Sequence, residues 1–426
     1  MTSPASFLNN AKERLLPASV PFRYFIAASI FHILAWLTLV FAANDLPGFT
    51  GGPGLVLASL HLLTLGVLVM TAIGASFQLL PVATGQALIR QWPAKLCFWL
   101  FTPGTLLLTW GMIEASPAAL HAGTACVGAG LLVYALLIAD NLRRARSAMP
   151  VVTAHGWAAL IAMLGFVVLG LLLVIDYKTG FLENRQIAVI IHMVLATFGF
   201  MGLLTFGFSH VLIPMFALSR SLSLSLSWLQ LILAIIAIIL AIIAILIQND
   251  FLLATAILTG LGASTIYLWL MRTALSTGMR KRLGLSFVVI KISWAFLLLA
   301  LLTGLAVMLQ APIKNGVTLF GFLLLVGWLL TFLTGVLQRI IPFLASMHVL
   351  DKDGRPPLLS DLTAERPLKI HAACHFAALI ICSAGIILDT PIIIKLGAIS
   401  GVIGALAFAA FTGFVASKLA SENPDR

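Results

Sequence analysis

Charged side chains are scarce in this chain. Only 9% of its 426 residues are Asp, Glu, Lys or Arg, and the acidic ones number 14, whereas 61% of the residues are hydrophobic. A water-soluble fold of this composition would expose far too much apolar surface. The composition therefore excludes an ordinary soluble domain and favours a protein that lies within a lipid bilayer.

Several signatures of enzyme chemistry are also missing. The four cysteines all fall inside apolar stretches, which excludes the disulfide framework of a small secreted domain. There is no glycine-rich phosphate loop and no Gly-x-Ser-x-Gly nucleophile elbow. The net charge of +11 does not indicate a nucleic-acid partner, because the basic residues fall in alternate loops between apolar stretches.

What the chain does contain is a series of apolar runs of about 20 residues, each long enough to cross about 30 Å of hydrocarbon as a helix. The runs lack the alternation of a transmembrane barrel, so their backbone groups must be satisfied within helices. The predicted fold class is therefore an all-α membrane protein. Twelve transmembrane helices are predicted near residues 21–43, 55–80, 95–113, 118–140, 152–175, 187–216, 222–247, 251–272, 284–309, 316–347, 370–388 and 391–417.

The basic residues predict the orientation of these helices. No cleavable signal peptide is evident, because residues 1–20 are polar and mixed in charge. The loops on one side carry few cations, among them Lys178, Arg185 and Lys314. Because basic loops stay in the cytoplasm, this asymmetry predicts that both termini are cytoplasmic. The cations on that side include Lys12, Arg14, Arg143, Arg144, Arg146, Arg280, Lys281, Arg282, Lys352 and Arg355.

An internal repeat divides the chain into three parts. The pattern Gly-x7-Gly-x6-Pro occurs three times, at offsets of 133 and 128 residues, whereas composition alone predicts roughly 0.1 match. The three copies are Gly66/Gly74/Pro81, Gly199/Gly207/Pro214 and Gly327/Gly335/Pro342. We therefore expect a single membrane domain of three four-helix units around a pseudo-threefold axis, at about 21–140, 152–272 and 284–417.

The repeated glycines have two interpretations. Eight residues make slightly more than two turns, so each glycine pair lies on one face of its helix. Small residues on such a face allow close approach either of a neighbouring helix or of a flat planar cofactor. The spacing does not decide between these alternatives.

Histidine is the residue type most suited to chemistry here, since ionisable groups at membrane depth are costly and often functional. His61 and His192 begin the second helices of the first two units, one to two turns below the outer surface. On the cytoplasmic half, His371 and His375 are four residues apart on one helix face, which suits metal ligation. A metal site built from His210, His371 and His375 is one hypothesis. Packed core histidines are the alternative.

The block His61-x4-Gly66-x7-Gly74-x6-Pro81-x2-Thr84-Gly85 resembles the second-helix signature of the NnrS family. That family comprises twelve-helix proteins of the bacterial inner membrane, associated with heme and with tolerance to nitric oxide. The wider pattern is similar to subunit I of the heme–copper oxidases, in which the second helix carries a heme-ligating His on the outer side. The resemblance implies heme b as cofactor, with His61 as an axial ligand. His192, on the second glycine-bearing helix, is the next candidate, and Gly66, Gly74, Gly199 and Gly207 are the residues that would lie beside the cofactor.

The resemblance also limits the activity that we expect. The heme–copper oxidases carry a His pair on the seventh helix and two His on the tenth, whereas here the seventh predicted helix has no His and the tenth has only His348 beyond its cytoplasmic end. We therefore expect a protein that binds heme in a multi-pass inner-membrane domain and handles nitric oxide or another small gas, without a complete oxygen-reducing centre. Copper is a second candidate metal. Besides heme and the gas, membrane lipid is the only partner that the sequence implies. A transporter of a metal ion or small solute and a nitric oxide reductase are the alternatives.

Overall fold

The computed structural model describes residues 16–88, 90–145, 149–348 and 357–421. Within these ranges the chain forms twelve helices that are long and apolar enough to cross a membrane, and no β-strand. The helices are α1 Ser19–Phe41, α2 Leu55–Thr84, α3 Trp92–Ile113, α4 Pro117–Arg144, α5 Pro150–Thr179, α6 Arg185–Ala217, α7 Leu224–Ile247, α8 Asp250–Thr277, α9 Leu285–Met308, α10 Gly316–His348, α11 Glu365–Leu388 and α12 Pro391–Ser421. The predicted all-helical membrane architecture is thus confirmed. The basic residues Lys12, Arg14, Arg146, Lys352 and Arg355 lie outside the described residues.

The helices extend past several of the predicted ends. The apolar pattern predicted 152–175 for the fifth helix, whereas α5 covers Pro150–Thr179. Apolar side chains mark only the part of a helix that lies in hydrocarbon, and polar residues continue the helix beyond it. Side-chain oxygens cap three of the helix starts, because Ser116, Asn184 and Asn249 each accept a hydrogen bond from a backbone N–H three residues later.

The contacts between helices follow the order of the chain and close into a ring. The neighbours α3 and α4, α7 and α8, and α11 and α12 pack along their lengths as antiparallel pairs. Further contacts join α4 to α5, α8 to α9, and α12 back to α1. The helices α2, α6 and α10 each pack against the preceding helix and against the helix two places later. The core is therefore built around these three helices.

Each of α2, α6 and α10 contains a π-helical segment eight residues long. The segments are Leu62–Val69, Leu195–Gly202 and Leu323–Leu330, and they begin 133 and 128 residues apart. These offsets equal those of the Gly/Gly/Pro pattern. The third segment contacts both of the others. Because π-helical turns are rare and often occur at functional sites, their recurrence at matching positions is a structural counterpart of the sequence repeat.

The repeated glycines lie against the helix that precedes their own. At each of them, a Cβ atom would come too close to a side chain on α1, α5 or α9, which excludes any larger residue without a shift of the neighbouring helix. The distances from the added Cβ would be 2.5 Å to Phe31 Cγ for Gly66, 2.6 Å to Tyr24 Cβ for Gly74, 2.7 Å to Ala162 Cβ for Gly199, 2.8 Å to His155 Cβ for Gly207, 2.8 Å to Phe296 Cδ1 for Gly327 and 2.8 Å to Ile290 Cγ1 for Gly335. These contacts agree with helix packing, the first of the two interpretations of the glycine pattern.

Candidate functional site

His61 and His192, which the sequence predicts in the outer half of the membrane, lie on two of the three inner helices. His61 is the last α-helical residue before the π segment of α2, and His192 lies three residues before that of α6. Both side chains are partly exposed, and they are close enough to interact electrostatically. The structure therefore places one imidazole on each of two inner helices, linked by an electrostatic interaction.

Hydrogen bonds fix which ring nitrogen of each outer histidine carries its proton. Nδ1 of His61 lies 3.0 Å from the carbonyl oxygen of Leu57, one turn earlier in α2. Nδ1 of His192 lies 2.9 Å from the carbonyl oxygen of Phe166 on α5. A carbonyl oxygen can only accept, so in both neutral rings Nδ1 is the donor and Nε2 keeps its lone pair. This is the tautomer of a histidine that binds a metal through Nε2, with its other nitrogen held by a backbone carbonyl.

The ring of His192 is further restricted by α5. It packs edge-on against Phe166, with ring centroids 5.8 Å apart. A Cβ added at Gly170 would lie 3.3 Å from Cε1 of the His192 ring, so a glycine there leaves room for the imidazole. These contacts hold His192 in place without using its Nε2 atom.

A second pair of histidines joins α5 and α6 on the other half of the helices. The rings of His155 and His210 lie with centroids 5.4 Å apart. Nδ1 of His155 donates to the carbonyl oxygen of Val151, and the side-chain amide of Gln230 on α7 lies 3.1 Å from its Nε2. The amide atom at this distance is Oε1, so the equivalent orientation of the amide, with its O and N atoms interchanged, is the one that donates to the free lone pair. His155 is thus a fully bonded packing residue.

His210 differs from His155 in having an unused nitrogen. Its Nδ1 donates to the carbonyl oxygen of Phe206, 2.7 Å away, while its buried Nε2 has no hydrogen-bond partner. Nε2 of His210 therefore keeps a lone pair without a hydrogen-bond partner, beside the His155 ring, whose two nitrogens are both bonded.

A third group consists of His32 on α1 with His371 and His375 on α11, all fully or almost fully buried. The rings of His371 and His375 are stacked with centroids 5.5 Å apart, as their spacing of four residues predicts. The ring of His32 meets His371 edge-on at 5.9 Å. Phe408 of α12 packs against both His32 and His371, so these imidazoles lie in an apolar setting.

Each ring of this group has one nitrogen bonded. Trp36 donates to Nε2 of His32 over 3.1 Å, and Nδ1 of His371 donates to the carbonyl oxygen of Gly404 over 3.1 Å. The hydroxyl of Thr331 donates to the carbonyl of Val326, so it accepts from Nε2 of His375, 2.7 Å away. Two lone pairs are left without partners in the protein interior, on Nε2 of His371 and on Nδ1 of His375.

The sequence grouped His210 with His371 and His375, and the structure does not bring these three together. His210 contacts His155, whereas His371 contacts both His32 and His375. In the part of the chain that the structure describes, no three His, Cys, Asp or Glu side chains are arranged to hold a metal ion. Spacing along one helix predicted the His371–His375 pair correctly, but it carries no information on which other helix faces them.

Most of the groups that set the histidine tautomers cannot be recognised in the sequence. Backbone carbonyls of Phe166 and Gly404, the hydroxyl of Thr331 and the indole of Trp36 are the partners, and three of the four come from a different helix. Only Trp36, four residues after His32, carries a signal in the sequence, since residues at that spacing share a helix face.

Comparison with known proteins assigns no family to the chain. The chain matches no family model, and no curated protein sequence matches it.

Proposed function

We propose that this chain is a heme b-binding membrane protein of the NnrS or heme–copper-oxidase-like type, which handles nitric oxide or a similar small gas. The observation that carries the proposal is the outer pair of His61 and His192. Both present an Nε2 lone pair, both are held through Nδ1 by a backbone carbonyl, and both lie on helices with a π segment. Neutral imidazoles with fixed tautomers are the ligands that heme iron takes in proteins.

The histidines support the cofactor proposal, whereas the glycines do not. Gly66, Gly74, Gly199 and Gly207 face side chains of α1 and α5, which leaves no room for a planar ring on that face. We propose His61 as the first candidate to hold the heme iron and His192 as the next. When bound, the heme iron would supply the affinity for the gas. The chain supplies the imidazoles, and Phe166 supplies apolar surface beside His192.

The same proposal includes three equivalent units at about 21–140, 152–272 and 284–417. Support comes from the Gly/Gly/Pro pattern, from the π segments at the same offsets, and from the equivalent contacts of α2, α6 and α10. Superposition of α2, α6 and α10 by a rotation of about a third of a turn is the expected result. Prolines Pro81, Pro214 and Pro342 at clearly different membrane depths in an experimental structure would contradict it.

We place the protein in the bacterial cytoplasmic membrane with both termini in the cytoplasm. The family resemblance supports the membrane, and the excess of Lys and Arg in alternate loops supports the orientation. A reporter fused to the C-terminus that is active only in the cytoplasm tests the orientation directly.

An absorption spectrum tests the heme assignment. The full chain, expressed with sufficient heme and purified, is expected to show a Soret band and reduced-minus-oxidised peaks typical of b-type heme. His61→Ala should remove the low-spin signal, and His192→Ala should weaken or shift it. His121→Ala is the matched control, because this imidazole bonds Nδ1 to the carbonyl of Pro117 in the same way but lies on α4.

Absence of the heme spectrum would favour the second candidate, a transporter of a metal ion or small solute. Its support is the buried group of His32, His371 and His375, where two lone pairs have no partner. Purified protein without heme, whose expression alters the cellular uptake of a metal ion, would replace the heme proposal by this one.

A further inference from the structure

Arg339 is a cation inside α10 with a partly buried side chain. Its Nε donates to the hydroxyl of Ser286 over 2.9 Å, and its Nη2 donates to the carbonyl oxygen of Leu283. The guanidinium therefore lies against the first turn of α9 and the loop before it. A guanidinium has five N–H donors, so these two bonds leave most of its hydrogen-bonding capacity unused.

No carboxylate neutralises Arg339 among the described residues. The ion pairs there are Arg144–Asp140, Arg185–Asp176, Lys314–Asp389 and Lys369–Glu365. The charged group that acts on Arg339 is instead another cation, Arg280, which is close enough to repel it. A charge held at the edge of the membrane without a counter-charge is unfavourable unless a ligand supplies one.

The surrounding loop adds further positive charge. Arg280, Lys281 and Arg282 are consecutive and exposed, and they precede the segment that Arg339 contacts. Two backbone bonds fix this loop to the end of α6, from Met279 N–H to the carbonyl of Leu218 and from Arg280 N–H to that of Ala217. The cations are therefore held at a defined place on the protein and do not belong to a free loop.

Exposed apolar side chains flank these cations. Leu218 at the end of α6, Met279 in the loop and Val288 in the first turns of α9 are all exposed. The first N–H groups of α9 have no side-chain cap and add partial positive charge near the guanidinium. A ligand that matches this surface has an anionic headgroup next to apolar chains.

We propose that Arg339, together with Arg280, Lys281 and Arg282, binds the phosphate group of an anionic membrane lipid. The guanidinium donates to the phosphate oxygens, the loop cations add charge attraction, and the acyl chains lie along the exposed face of α6 and α9. The site is independent of the histidine pair and of heme.

Native mass spectrometry of the full chain in detergent tests this site. The protein is titrated with phosphatidylglycerol and, in parallel, with phosphatidylcholine. Wild type is expected to retain one phosphatidylglycerol with preference over phosphatidylcholine. Arg339→Gln should weaken that binding roughly fivefold, since one cation near a lipid headgroup contributes about that factor. Arg339→Lys should restore part of the affinity.

Arg272→Gln is the matched control, because Arg272 is an exposed cation of the same sign on α8. Equal weakening by both variants, or weakening by neither, would overturn the proposal. If Arg339→Gln does not fold, Arg280→Gln at the exposed loop gives the same test, with reduced binding expected. The final measurement adds excess inorganic phosphate to the wild-type protein with lipid bound. If phosphate displaces the lipid, the ligand of this site is free phosphate and not lipid.

Discussion

Gly207 and His155 lie so close that a methyl group on the glycine would come within 2.8 Å of the histidine Cβ. Because His155 is itself held by Val151 and Gln230, it cannot move aside without breaking those bonds. The contact therefore joins α5 rigidly to α6, and it places a strict size limit on position 207.

Gly207→Ala should destabilise the protein by about 1–3 kcal/mol, the usual cost of overpacking a close contact. Thermal unfolding in detergent would show this as a lower midpoint. Gly262→Ala on α8 is the control, because nothing lies within 4 Å of its added Cβ. That variant should be neutral or slightly stabilising, since alanine favours a helix more than glycine. An equal loss in both variants would refute the assigned contact.

Tyr267→Phe should loosen the packing of α6, α8 and α9. The indole of Trp294 donates to the Tyr267 hydroxyl over 3.0 Å, and that hydroxyl donates to Ser209, 2.9 Å away. Removal of the hydroxyl leaves two buried partners, at a cost of about 0.6–1.7 kcal/mol for bonds between membrane helices. Denaturant unfolding of the variant measures this loss of unfolding free energy. Tyr177→Phe is the control, because Tyr177 is exposed and the unfolding free energy should not change.

Asp389, in the loop between α11 and α12, should make stability depend on pH under acid conditions. Lys314 and Asn315 hydrogen bond to this carboxylate and hold its pKa below the usual range. A lowered folded-state pKa means that the stabilisation is present above the unfolded-state pKa, about 3.9, and is lost as pH falls through the folded-state value.

Asp389→Asn tests that dependence with little change in the backbone. The residue has a positive φ of 55°, and asparagine tolerates this conformation as well as aspartate does. Wild type should melt higher than the variant at neutral pH, and the difference should shrink as pH falls below about 4. A difference that stays constant over the whole range would show that the carboxylate charge does not contribute.

The chain should neither reduce oxygen nor pump protons, even with heme bound. A heme–copper centre needs several histidines converging on copper, at about 2.0–2.1 Å each. No histidine occurs in α7, and α10 carries only His348, at its last residue. Oxygen consumption with a quinol or cytochrome donor is the measurement, and turnover above that of free heme would show that a different set of ligands forms the centre.

The sequence predicted the helices well because the bilayer imposes a simple rule. Each apolar run of about 20 residues can only be a helix, so twelve helices followed directly. The pairing of His371 with His375 followed in the same way, since it depends on one helix alone. The helix ends were less accurate, as in α5, because the apolar signal stops where the hydrocarbon does.

The contacts between helices could not be predicted from such local rules. His210 contacts His155 rather than His371, because the facing of α5 and α6 is set by Gly207 and its neighbours. His32 meets His371 because α1 and α11 both pack against α12, and the contact of α12 with α1 closes the ring of helices. No periodicity in the sequence marks the π segments either. Their relation to the sequence is that they recur at the same offsets as the repeated glycines.

The π segments also bear on the history of the chain. A π turn closes its hydrogen bond over five residues where an α turn closes over four, so one residue inserted into an α-helix would produce it. Three such insertions at matching positions, 133 and 128 residues apart, would be a coincidence if each had arisen alone. If the three units descend from one ancestral four-helix segment, a single insertion before the first duplication accounts for all three. The inner helices would then preserve a feature older than the twelve-helix protein itself.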